Sequence, residues 1–310
     1  MNFTTKIPIE KSKTPISYDS RIVSLGSCFA ENMGEKFSFF KFQNFVNPFG
    51  IIFNPVSIEK LLLRIVRNQK FTEDDIFFHN DLWHCFDVHS ELSNPDKVEL
   101  LTSLNGLLES THNQITKSTH IIITYGTSWV YRNKTSGNIV ANCHKVTQNQ
   151  FDKEILPVET IQKSIKETID LIRKINPHCC LLFTISPVRH IKDGIVENQL
   201  SKAHLITAVH SLSQPYFPSY EIVMDELRDY RFYAEDMLHP SQTAIDYIWE
   251  RFSESHISEA HHSVIQEVGS IQKAMAHRPF NADSDAHQKF LLNLKGKIEK
   301  LQQQFPHFTF

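Results

Sequence analysis

Four short, uninterrupted apolar runs constrain the fold of this chain more than any other feature: "RIVSLG" at 21–26, "HIIITYG" at 120–126, "CCLLFTIS" at 179–186 and "YEIVMD" at 220–225. Each has the length of a strand, and none shows the apolar–polar alternation of a sheet with one wet face. Unbroken hydrophobicity of this kind belongs to strands covered on both sides, as in parallel sheets. Helical patterns fill the intervals: "CFAENMGEKFSFF", "NPVSIEKLLLRIVRNQ", "NPDKVELLTSLNGLLESTHNQI" and "VETIQKSIKETIDLIRKIN". The last of these sets Ile161, Ile165, Ile169 and Ile172 on one stripe. Such alternation predicts a three-layer α/β/α sandwich around a doubly wound, mostly parallel sheet.

Smaller features fit around that frame. "NFV" within 42–55 reads as a short second strand leading into a loop that carries Gly50. The aromatic-rich 78–90 stretch reads as an inserted hairpin, and 128–146 as two runs about a "TSGN" turn. Residues 1–255 form the expected α/β domain. Residues 256–310 read as a polar C-terminal helical extension that packs on the core, caps it or pairs with a second copy.

Composition narrows the function classes. With 32 Lys+Arg against 35 Asp+Glu, the net charge of −3 gives no basic footprint for a nucleic acid. No apolar leader or bilayer-length run is visible, so no membrane partner and a cytoplasmic location are expected. The five cysteines, Cys28, Cys85, Cys143, Cys179 and Cys180, include no C-x-x-C pair, and the 17 histidines form no H-E-x-x-H or His-rich tract. The loops bearing His89, Cys143 and His144 lack paired ligand spacing, so neither a metal site nor a cofactor is expected.

In a doubly wound sheet the ligand crevice lies beyond the carboxyl ends of the strands. The residues there are Gly26, Ser27 and Cys28 after the first strand, Gly126, Thr127 and Ser128 after the third, Arg189 and His190 after the fourth, and Asp225 and Glu226 after the fifth. Ser27 is either a nucleophile or the cap of the helix that follows, and Cys28 is either a nucleophile or a small buried hydrophobe. Arg189 and His190 either bind an anionic group of a substrate or pair with Asp225 or Glu226. Further on, "AEDMLHPSQTAIDYIWERF" places Asp236 three residues before His239, with Pro240 expected at the first position of a helix. An acid there can hold one ring nitrogen and leave the other free as a general base.

These residues, in this order, resemble the SGNH (GDSL-type) hydrolases. The strings "GSCFA", "SPVRH" and "DELRDYRFYAEDMLHPS" resemble more narrowly the GSCFA-domain family of bacterial proteins, over about residues 20–253. The resemblance implies an SGNH/flavodoxin-like strand order and an acyl hydrolase acting on O-acyl esters of a carbohydrate or other small polar substrate. It puts Cys28 at the nucleophile position and Ser27 in the place of an aspartate, and leaves Asp236 and His239 unchanged. It implies Gly50 and Ser128 as oxyanion donors, the latter in place of an asparagine, and Gly126, Thr127, Arg189 and His190 along the substrate. An acyltransferase with a thioester donor, and a non-catalytic ligand-binding module, are the alternatives.

Overall fold

The computed structural model describes residues 4–278, 280–281 and 283–310. Ten strands and nine α-helices are assigned among them. The strands are β1 (Arg21–Gly26), β2 (Gln43–Val46), β3 (Ile76–His79), β4 (Leu82–Cys85), β5 (His120–Tyr125), β6 (Trp129–Asn133), β7 (Ile139–Val140), β8 (Phe151–Ile155), β9 (Cys180–Ile185) and β10 (Tyr216–Phe217). The helices are α1 (Cys28–Phe39), α2 (Pro55–Val66), α3 (Lys97–Lys117), α4 (Val158–Ile175), α5 (Ile195–Ser211), the single turn α6 (Ser219–Glu221), α7 (Gln242–His256), α8 (His262–Ala276) and α9 (Asp285–Gln304).

The central sheet is wholly parallel, in the order β10-β9-β5-β1-β2, with Gly26 opposite Thr124 and Thr124 opposite Thr184. Side chains alternate across it as the strand pleat demands. Val23, Leu25, Ile121, Ile123, Leu181 and Phe183 pack under α2, α3, α4 and α5, and the four predicted isoleucines of α4 are all buried there. Ile22, Ile122 and Leu182 face the other way, against Phe29, Met33 and Phe37 of α1 and Ile248, Trp249 and Phe252 of α7. The three-layer α/β fold is thus observed. The strand order reverses between β1 and β5, and the β1–α1 turn stands at that point.

Two excursions match their sequence signals. β3 and β4 form the antiparallel hairpin, while β6 pairs with both β7 and β8, a third strand that the sequence did not announce. One expected strand is corrected. Residues 220–225 are helical: α6 runs into a wider helical turn over Ile222–Leu227, and the fifth strand is only Tyr216–Phe217. Ile222 and Val223 are buried, which explains the apolar run, and the Ser219 hydroxyl donates to the Ile185 carbonyl and ties the turn to the end of β9. Glu226 therefore lies away from the strand ends, holding Arg251, the Ile7 amide and the Tyr247 hydroxyl.

The C-terminal extension joins the second layer's core. Val268 and Ile271 of α8, Leu301 of α9 and Phe308 beyond it are all buried in the cluster that contains Tyr18, Phe42 and Trp249. Phe308 meets Tyr18 edge-on at 4.9 Å and stacks on Phe305 at 4.8 Å. Phe308→Ala should lower unfolding stability by about 3–5 kcal/mol, read as a fall in the urea midpoint at constant slope. An unchanged midpoint would mean that the terminal aromatic cluster is not part of the cooperative core. Among the described residues no helix is long and apolar enough to cross a membrane.

Candidate functional site

The turn from β1 into α1 is built by three short-range constraints. Gly26 has φ +141°, its N–H donates to Asn47 Oδ1 at 2.8 Å, and its carbonyl accepts from Ile52 N at 3.1 Å. The next amide, Ser27 N, donates to the Thr124 carbonyl across the strand gap at 3.1 Å. Ser27 is buried and is the N-cap of α1, its Oγ accepting from Phe29 N at 3.2 Å. Cys28, the first helical residue, is only partly buried. Burial raises its thiol pKa, with the Glu31 carboxylate adding to the rise. The amides of Cys28 and Phe29 and the charge of Lys202 act on the same sulfur in the opposite direction.

Residues after β5 serve a different purpose from the one expected. The Thr127 and Ser201 hydroxyls are hydrogen-bonded at 2.8 Å, Ser128 N donates to Ser201 Oγ at 2.8 Å, and Ser128 Oγ donates to the Ser201 carbonyl at 3.2 Å. Ser128 is fully buried, so its hydroxyl anchors α5 and is not free for an oxyanion. Gly50 is likewise committed, its N–H donating to the Asn47 carbonyl at 2.8 Å in a turn with φ +73°. A Cβ at Gly50 would fall 2.3 Å from His89 Cβ, so the glycine there is explained by close packing. Asn47, absent from the expected site, organises this region, because its side chain holds the Gly26 amide and donates to Glu31.

Beyond β9 the chain supports the histidine loop. Arg189 N donates to the Leu238 carbonyl and Arg189 Nη1 to the Met237 carbonyl, both at 3.0 Å, while the guanidinium lies over the rings of Tyr230 and Tyr233. Arg189 thus fixes the loop from below and pairs with neither Asp225 nor Glu226. His190 packs 5.4 Å from Phe53, and among the described residues its buried Nε2 has no hydrogen-bond partner. Burial, then the charges of Lys202 and His239, push its pKa down to about 3, so His190 is a neutral ring near neutral pH. Its Nε2 would lie 3.1 Å from a Cβ at Gly126, which puts the ring against the end of β5.

Asp236 and His239 form a closed turn. Asp236 Oδ1 accepts from Leu238 N at 2.8 Å and His239 N at 3.0 Å, and Oδ2 lies 2.6 Å from His239 Nδ1. Because a carboxylate only accepts, Nδ1 carries the hydrogen and Nε2 is left as the base nitrogen. The hydrogen bonds, led by the His239 amide, hold the Asp236 carboxyl down at about 2. The expected helix start is corrected by two residues: Ser241 is the N-cap of α7, and Pro240 lies outside it, bridged to Tyr233. The histidine is held by the aspartate turn and the Ala234 N–H donating to its carbonyl, with no direct part played by the helix end.

Lys202 on α5 is the component that the sequence did not reveal. It is 1% exposed, and its Nζ donates to the Gly126 carbonyl at 2.6 Å and the Ser186 carbonyl at 2.7 Å, joining the ends of β5 and β9. Desolvation holds its pKa down at about 7, against partial compensation from Cys28 and Glu221. Lys202 thus ties together the carboxyl ends of β5 and β9, and its charge acts on both Cys28 and His190. A separate cleft of about 810 Å³ opens at the other end, lined by His120, Cys180, His256 and the 7–14 segment, and contains none of these groups.

The family comparison rests on the same stretch of chain. A model of the GSCFA family matches residues 21–252, and a model of the C-terminal domain of GSCFA domain proteins matches residues 268–310. The chain belongs to the GSCFA family. No curated protein matches it. The family match takes in the whole site, from the β1–α1 turn to the aspartate–histidine loop, and the C-terminal match takes in most of α8 and all of α9. In this GSCFA chain the string "GSCFA" is the turn itself, Gly26–Ala30. Its glycine has no room for a Cβ, its serine caps, its cysteine offers a thiol, and Phe29 and Ala30 are buried under the sheet.

Proposed function

We propose that the protein is an acyl hydrolase of O-acyl esters carried by a carbohydrate or other small polar molecule, built on an SGNH-like arrangement. The reading is carried by the placement of Cys28 at the N-terminus of α1, at the switch point of a parallel sheet whose carboxyl edge also bears an aspartate-oriented histidine. Cys28 Sγ attacks the ester carbonyl, and the S–C bond forms as the carbonyl electrons move to oxygen. The amide of Cys28, at the positive end of the helix, stabilises that oxygen. His239 takes a proton from the attacking group, thiol or water, and gives one to the leaving oxygen; Asp236 balances the imidazolium. Water then resolves the thioester, and neither metal nor cofactor takes part in this scheme.

The wild-type protein should hydrolyse a short-chain acyl ester, and His239→Ala should lower kcat/KM by about 10²–10⁴-fold with the fold intact by circular dichroism. Full activity in His239→Ala would rule out this acid–base assignment. Transfer of the acyl group to a sugar hydroxyl in place of water would appear in the same assay as an acylated product.

A further inference from the structure

The cleft at the amino ends of the strands is built from groups that the ester chemistry leaves unused. It opens because β10 pairs only with Phe183 and Thr184, so that among the described residues Cys180–Leu182 of β9 have no strand on that side. His120 lies opposite Cys180 and Ile122 opposite Leu182, and these four residues line its floor. A strap, residues 7–16, borders them and is pinned along its length. Ile7 N donates to Glu226 Oε1 at 2.7 Å, Ser12 N to the Ser255 carbonyl at 2.7 Å and Ile16 N to the His256 carbonyl at 2.8 Å. The Thr14 carbonyl accepts from His120 Nε2 at 2.9 Å, and the Thr14 hydroxyl donates to Cys180 Sγ at 3.0 Å. The volume of about 810 Å³ suits a small organic molecule.

His256, the last residue of α7, lines this cleft and is 8% exposed. Ser255 Oγ donates its hydrogen to the Arg251 carbonyl at 2.8 Å, so it accepts from His256 Nδ1 at 2.8 Å. Nε2 is therefore the lone-pair nitrogen, and among the described residues it has no hydrogen-bond partner. Burial, then the charge of His120, push the pKa of the ring down to about 4, so it is a neutral acceptor near neutral pH. Glu221 lines the same cleft. Its two oxygens accept from the Tyr216 hydroxyl at 2.8 Å, and among the described residues it makes no salt bridge. The C-terminal, negative ends of α5 and α7 also reach the cleft, through His210 and His256. Of the strap's cations at the cleft, Lys11 is paired with Glu259 and Lys13 is exposed. Acceptors and negative charge beside an apolar floor are the complement of an alkyl chain that ends in a cation. We propose that this cleft binds a small amphiphilic amine, with its alkyl body on Ile122 and Leu182 and its ammonium donating to His256 Nε2 in the field of Glu221 and the two helix ends. The site is independent of the ester chemistry at the opposite edge, and so is its test.

The probe is octylamine, an ammonium at neutral pH, set against octanoate, which has a chain of the same length and the opposite charge. Isothermal titration of the full chain should give octylamine a Kd about tenfold or more below that of octanoate. Hydrogen exchange should slow within residues 7–16 when octylamine is added, and not merely in α9, where Phe290, Leu291 and Leu292 are exposed to any alkyl chain. His256→Phe keeps a ring against Phe252, which His256 stacks on at 5.0 Å, and removes the acceptor. It should weaken octylamine by about tenfold and leave the weaker octanoate binding in place. Glu221→Gln, which keeps an oxygen for the Tyr216 hydroxyl, should weaken octylamine in the same direction and decides the matter if the phenylalanine variant does not fold. Equal affinity for the two probes, no octylamine binding at millimolar concentration, or exchange protection confined to α9 would overturn the proposal. So would a folded His256→Phe that binds octylamine as the wild type does.

Discussion

Cys28→Ala should abolish hydrolysis of a short acyl ester, by about 10⁴-fold or more in kcat, while Ser27→Ala retains turnover within about tenfold of wild type. The two neighbours differ in what the fold has done with their side chains. Ser27 Oγ is buried and accepts the Phe29 amide, so its loss removes a helix cap and should cost about 1 kcal/mol of stability. Among the described residues Cys28 Sγ has no such structural hydrogen bond, and two amides and the charge of a lysine act on its charge. Cys28→Ser separates size from nucleophilicity: it keeps the volume but replaces the thiol with an alcohol, which is far harder to ionise, and should remain inactive. Assays of all three variants, with matched urea midpoints, decide the assignment. Loss of activity in Ser27→Ala with activity kept in Cys28→Ala would transfer the nucleophile to the serine.

What could be read from the chain follows the range over which each interaction acts. The runs at 21–26, 120–126 and 179–186 are central strands buried on both faces, and unbroken hydrophobicity reports that directly. The run at 220–225 is buried too, but as helix, because hydrophobicity over six residues cannot separate a core strand from a core helix turn. Helix α5 was silent for the converse reason: Ile195, Val196 and Leu200 on its exposed side blur the amphipathic stripe. In the site, Asp236 and His239 were legible because their bond spans three residues. The close packing of Gly50 and the commitments of Ser128 and Arg189 were not, since each depends on a partner made near only by folding: His89 beside the glycine, Ser201 on α5, and the tyrosines flanking the histidine turn. Lys202 stood in the polar string "QLSKAH", where nothing local distinguishes a buried amine from a solvated one.

The glycine that opens the turn carries the second large effect. Gly26→Ala should destabilise the protein by about 3–5 kcal/mol, combining the strain of a β-carbon in an unfavoured backbone region with overpacking. At φ +141° an added Cβ would lie 2.1 Å from the Thr124 carbonyl oxygen and 2.9 Å from Thr124 Cβ. No side-chain rotation relieves a clash with backbone, so β1 and β5 would have to part at their carboxyl ends. The same movement disturbs the Ser27 N–H to Thr124 bond and the Asn47 clasp on the Gly26 amide, which together aim Cys28. A displacement near 1 Å at reacting groups costs on the order of 10²-fold in rate. Any folded fraction of Gly26→Ala should therefore lose ester turnover. Retention of ester turnover at a lowered urea midpoint would show that the turn's glycine serves stability alone.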